Sequence, residues 1–206
     1  EPFSTENSIA PSFRFDSLEN TENRLWTTNP GRILNSVIVD FLDRLAQEVY
    51  RIIPLTDPLF ASTDAKKLRI TDGVRTPERQ VELMWDKVSS GKKTKQQVLD
   101  LYSNCWWAKR VMNAYPNDKP AALAAVNARI AQGGDGHLYG TGVDIGTKHN
   151  FVADGDKPSA GAKIYEAQMR QTRFYKAVQQ ACQILGAKVI AEDYQEHFHI
   201  TFSAPK

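Results

Sequence analysis

Apolar residues recur at three- and four-residue steps from Ile33 and Leu34 through Val37, Ile38, Phe41, Leu42 and Leu45 to Val49. That spacing gathers them into one stripe along an α-helix, and a stripe of this width is a core surface. The helix is predicted to start at Asn29-Pro30, with proline near its first position. A chain of 206 residues is long enough to cover the stripe within one sizeable core.

The remaining segments say what does the covering. Leu68-Arg69-Ile70 reads as a short strand, after a loop over 54–65. Thr76-Pro77-Glu78 reads as a capped helix start, and Ser90-Gly91 ends that helix. Further helices are expected from Thr94 to about Ala114 and from Pro120 to Ala131, the second stopped by Gly133-Gly134. Cys105-Trp106-Trp107 falls in the middle of the first of these, where one tryptophan is expected in the core. Val143-Asp144-Ile145 reads as a strand and 147–158 as a polar loop. A long helix is expected over about Ala160 to Leu185, then strands over 187–191 and 198–202. Helices come first and most strands come late, which predicts an α+β fold with several helices on a small antiparallel sheet. Residues 1–28 are polar and aperiodic and read as an irregular N-terminal arm, leaving 29–206 as a single domain.

Composition narrows the partners. The 26 basic and 24 acidic residues leave a net charge of +2, so neither a nucleic-acid surface nor a polybasic tail is expected. No apolar run approaches the roughly 18 residues of a membrane span. The chain opens Glu1-Pro2-Phe3 without an initiator Met, as a processed product or an artificially trimmed chain does, and a removed signal peptide would account for this. Cys105 and Cys182 are too far apart for a Cys-x-x-Cys motif and are expected as one disulfide or two buried thiols. The oligomeric state is open.

Three of the four histidines fall in two short segments, Gly136-His137-Leu138-Tyr139-Gly140-Thr141-Gly142-Val143-Asp144 and Glu196-His197-Phe198-His199. Zinc accepts imidazole nitrogen and carboxylate oxygen, and a catalytic zinc takes three protein ligands and leaves a position for water. His137, Asp144 and one C-terminal histidine supply that set, and Gly140 and Gly142 suit a tight backbone path between the first two. Taken singly, His137 reads as a turn histidine and Asp144 as a turn or capping aspartate. Their joint occurrence favours a metal site. His149 reads as a solvated loop residue, and Asp154-Gly155-Asp156 lacks the rest of a calcium loop.

The first segment resembles the Ser-x-His-x-x-Gly-x-Ala-x-Asp motif of the D-alanyl-D-alanine carboxypeptidase and dipeptidase family, which is grouped with lysostaphin-type endopeptidases and the hedgehog domain. Glu196-x-x-His199 is similar to that family's C-terminal Glu-x-x-His. Asp72-Gly73-Val74-Arg75-Thr76 with Gln80 is similar to its Ser-Gly-Tyr-Arg-Ser and following Gln. The three occur in family order, from about residue 68 to residue 202. Asp135 stands where the family has Ser, Gly142 where it has Ala, and Phe198 where it usually has Trp. His197 makes a His-x-His more similar to the penicillin-insensitive murein endopeptidases of the same group.

The resemblance implies a hedgehog/D-Ala-D-Ala peptidase-like fold and a Zn2+ centre of His137, Asp144 and His199. It implies Glu196 as general base, Arg75 as oxyanion donor and Gln80 as a substrate contact. In a straight strand residues 197 and 199 face one side and 196 the other, so Glu196 reaches the metal only if the chain bends before Phe198. His197 is the competing base, or a hydrogen-bonding neighbour of the ligands. The implied activity is hydrolysis of a peptide bond involving a D-amino acid in peptidoglycan, as a carboxypeptidase or an endopeptidase, by a periplasmic or secreted enzyme. A zinc-containing binding module without activity and a secreted antibacterial effector are the alternatives.

Overall fold

The computed structural model describes residues 12–15, 24–29, 31–58, 67–133, 136–146, 169–191 and 197–203. The fold is α+β, and the described residues form six helices and a five-stranded mixed sheet, with a separate two-stranded pair. They fall into two compact units within a stretch that the sequence presents as one domain. One unit comprises Glu1–Val74 and Gly140–Lys206, the other Arg75–Tyr139.

The first unit carries the sheet. Strand β1 (Ser12–Phe15) pairs antiparallel with β3 (Arg32–Asn35). The five-stranded sheet has the order β2 (Trp26–Thr28), β4 (Leu68–Asp72), β5 (Gly142–Gly146), β7 (His197–Thr201), β6 (Lys188–Ala191). It is antiparallel from β4 to β6, as expected, and β2 is added parallel to β4. Two of these strands, β1 and β2, lie within 1–28, where the sequence suggests an irregular arm.

Helix α1 runs over Ser36–Ile52, starting later than Asn29-Pro30. Ile33 and Leu34 belong to β3, where they pair with Arg14 and Phe13, and the apolar spacing that runs on from strand into helix hides the boundary. The true boundary is chemical: Asn35 is extended, and its side-chain oxygen accepts the Ile38 N–H at 2.8 Å, an N-cap.

Alternation along β7 buries Phe198 and Ile200 on one face. They lie opposite Ile145 and Val143 of β5. Helix α1 and helix α6 (Arg173–Ile184) contribute to the same core. Phe174 and Tyr175 of α6 meet the Phe198 ring at centroid distances of 5.9 and 5.0 Å, and Phe41 of α1 stacks on Phe202 at 3.9 Å. The indole N–H of Trp26 donates to Asp43 of α1 at 2.7 Å, and Arg24 pairs with the same carboxylate, which fixes the β2 edge. The long helix expected from Ala160 is observed over Arg173–Ile184, and its expected start lies outside the described residues.

The second unit is helical: α2 (Pro77–Ser89), α3 (Lys95–Leu101), α4 (Trp106–Ala114) and α5 (Lys119–Ala131). Val81, Met84, Val98, Trp107, Val111 and Val126 form its own core. The single helix expected over 94–114 is two. Ser103 and Asn104 adopt φ of 52° and 53°, and the Asn104 N–H caps the Leu99 carbonyl at 2.8 Å. A polar side chain that tolerates left-handed backbone ends α3 there. Cys105-Trp106-Trp107 therefore opens α4 rather than lying mid-helix. Trp107 is buried, while Trp106 is exposed beneath the Arg110 guanidinium.

Both cysteines are free thiols, Cys105 half-buried and Cys182 buried. Burial pushes the Cys182 thiol up to about 12. The thiolate is the reactive form, so Cys182 stays unmodified by a disulfide reagent at pH 8 in the native protein and reacts only on unfolding. Modification at the rate of a free thiol would contradict its burial. Phe198→Ala is expected to cost about 3–5 kcal/mol in urea unfolding, the range for truncating a buried aromatic ring.

Candidate metal centre

The sheet has a second face. Asp144 pairs with His199 across β5 and β7, and Gly146 pairs with His197. Directly opposed residues of an antiparallel pair share a face, and so do residues two apart. Asp144, His197 and His199 therefore stand together on the side away from Phe198 and Ile200. On β5, Gly142 and Gly146 flank Asp144 on that face, so no β5 side chain crowds it. A Cβ on Gly146 would lie 2.8 Å from the Thr71 methyl, so the strand also needs glycine there for the approach of β4.

His137 arrives by another route. It begins a 3-10 turn over His137–Tyr139, and its carbonyl accepts the Arg75 N–H at 3.1 Å. The Tyr139 hydroxyl donates to the Arg129 carbonyl at 2.9 Å. The chain then passes through Gly140 at a φ of 69°, where a Cβ would sit 2.1 Å from the Asn35 amide nitrogen. That amide donates to the Gly140 carbonyl at 3.0 Å. Asn35 thus caps α1 with one side-chain atom and holds the approach to β5 with the other.

The result is a three-residue group. One ligand atom each from His137, Asp144 and His199 lies within 4.8 Å of the others. His199 Nδ1 is 2.8 Å from Asp144 Oδ1. In a tetrahedral zinc site with bonds of about 2.0–2.1 Å, ligand atoms stand about 3.3 Å apart, so small side-chain adjustments suffice. Asp144 is 4% exposed and His137 8%, and a carboxylate so deeply buried needs a cation or strong hydrogen bonds. Two imidazoles and a carboxylate can hold a metal ion, and the donor set suits zinc.

The other site residues fall as follows. His197 Nε2 is 3.7 Å from Asp144 Oδ2, placing it beside the ligand carboxylate. Residues 197 and 199 do share a face, as alternation predicts. Glu196 lies outside the described residues, as do Asp135, His149 and Asp154-Gly155-Asp156. Arg75 is half-buried between β4 and α2, tied by its backbone to His137. Gln80, implied by the resemblance as a substrate contact, is buried on α2, and its amide donates to the Tyr102 hydroxyl at 2.8 Å.

Two positions escape the sequence reading. Asn35 carries a legible signal, a polar cap before an amphipathic run, masked by the Asn29-Pro30 start. Asp72, quoted only as the first residue of the Arg75 motif, carries no signal of its place: past a bulge between Ile70 and Asp72 it lies opposite Asp144 in the β4–β5 register.

Zinc titration of the metal-free protein is expected to show one site. Removing any one of His137, Asp144 or His199 as alanine lowers affinity by more than about 100-fold, whereas His197→Ala costs about 10-fold, the scale for a group that only supports a ligand. Equal losses from His197 and His199 would replace this ligand set. Comparison with family models, curated proteins and solved structures found no match, so the candidate metal site rests on its geometry alone.

Proposed function

We propose that this protein is a zinc-dependent peptidoglycan peptidase, hydrolysing a peptide bond that involves a D-amino acid in cell-wall stem or cross-link peptides. The single observation that carries this reading is the convergence of His137, Asp144 and His199, in the order and spacing of the D-alanyl-D-alanine peptidase motif. His199 keeps 21% of its side chain exposed, so the centre faces outward and a substrate can reach it.

Bound at these residues, zinc supplies a Lewis acid for the scissile carbonyl and acidifies water to a pKa of about 7. The protein supplies the remainder. Glu196 takes the proton of the attacking water, and Arg75 stabilises charge on the carbonyl oxygen. His197, beside the Asp144 carboxylate, orients that ligand and is the alternative base. Gln80, anchored to Tyr102, supports α2 behind Arg75 in the chain. The substrate places the protein in the periplasm or outside the cell. No helix among the described residues is long and apolar enough to cross a membrane.

Purified peptidoglycan incubated with the zinc-loaded protein is expected to release muropeptides shortened or separated at a D-amino-acid bond, identified by mass. A chelator abolishes release and added zinc restores it. Glu196→Ala with zinc retained lowers turnover by about 100-fold or more, the scale of a lost general base. Absence of any chelator-sensitive product would favour a zinc-containing binding module.

A further inference from the structure

One motif of the helical unit takes no part in the metal centre, the Cys105-Trp106-Trp107 run that opens α4. Trp107 turns inward with Ala108, Val111 and Met112, and all four are buried. Trp106, Lys109, Arg110 and Asn113 follow one another at three- and four-residue steps and share the opposite face. All four are exposed, Trp106 at 37%. The Arg110 guanidinium lies over the Trp106 ring, 5.2 Å from its centroid, and the rest of the indole stays in water.

Charge on this face has one sign. No acidic residue occurs from Leu101 to Asn117, and among the described residues neither Lys109 nor Arg110 has a carboxylate partner. The unit is basic as a whole. Residues 75–139 hold ten Lys and Arg against six Asp and Glu, a net of +4, while the rest of the chain holds sixteen against eighteen, a net of −2. The face thus combines a π surface, a planar hydrogen-bond fork, a second cation and an amide over about 10 Å of helix.

We propose that Trp106, Lys109, Arg110 and Asn113 form a binding face for an acidic polysaccharide whose sugar rings carry carboxylates. A pyranose has an apolar C–H face that packs on an indole. A carboxylate fixed to that ring lies beside the indole when the sugar stacks, where the Arg110 guanidinium already stands, and the fork donates to it with two parallel N–H bonds. Lys109 and Asn113, within one turn of Arg110, supply a second charge and an amide for ring hydroxyls. A phosphodiester polymer holds its charge between the sugars, away from the stacked ring, and fits less well. A stable protein partner covers about 800 Å² on each side around an apolar centre, and this helix face offers one indole. Neither zinc nor the peptidase reading enters this binding.

The test titrates the full chain, with and without zinc, against tetragalacturonate, neutral chitotetraose and short inorganic polyphosphate by calorimetry. Tetragalacturonate is expected to bind equally in both forms and more weakly as salt rises, with chitotetraose about fivefold weaker still. Trp106→Ala lowers affinity about tenfold, the loss of one stacked ring, and Trp106→Phe recovers part of it. Arg110→Gln and Lys109→Gln each lower it about fivefold and flatten the salt dependence. Unfolding midpoints of these variants stay near wild type, since the replaced side chains are exposed. Polyphosphate bound as tightly as tetragalacturonate would make the face a general anion surface and overturn the proposal. So would an affinity that follows zinc and survives Trp106→Ala, or no binding of tetragalacturonate by wild type.

Discussion

The ladder between β5 and β7 sets Asp144 opposite His199. A slip of one residue would turn His199 into the core and Phe198 out to the metal face. The register is held by the opposite side of the same strands. Ile145 faces Phe198 and Val143 faces Ile200, and all four are sealed beneath the helices. Moving them into water costs about 1.5–3 kcal/mol per side chain, far more than any preference of the histidines for one side. The residues that could hold a metal ion are thus aligned by apolar residues on the opposite face of the sheet.

The segment before β5 is fixed by a different device. Asn35 ends β3 and starts α1, and its two side-chain atoms serve two distant stretches of chain. One satisfies a backbone donor at the helix start, the other grips the Gly140 carbonyl. Gly140 adopts a left-handed conformation directly against that amide, where no other residue fits. The path into Asp144 is therefore coupled to the position of α1, the helix that fills the core beneath the sheet.

One sheet serves two purposes through its alternation. Its buried face takes α1 and α6, and its other face presents a carboxylate, two imidazoles, a lysine and an isoleucine in ordered rows. Glycines beside Asp144 keep side chains off the strand at the centre of that face. A face that is polar and rigidly backed suits a group of residues that could hold a metal ion.

The amino-acid sequence by itself determined the α+β class, the capped start of α2, the stop of α5 before Gly133, the strand alternation and the candidate donors His137 and Asp144 with a C-terminal histidine. Each depends on local spacing or on residue chemistry readable within a short window. It did not reveal where β3 gives way to α1, since apolar spacing crosses that boundary, nor the break at Ser103-Asn104, since the periodic pattern continues through it. Only the tertiary structure decided that Asp72 stands opposite Asp144, that Asn35 holds Gly140, and that Ile190 borders His199. Those relations join segments from roughly ten to more than a hundred positions apart. They are set by strand register and core packing, which no local pattern encodes.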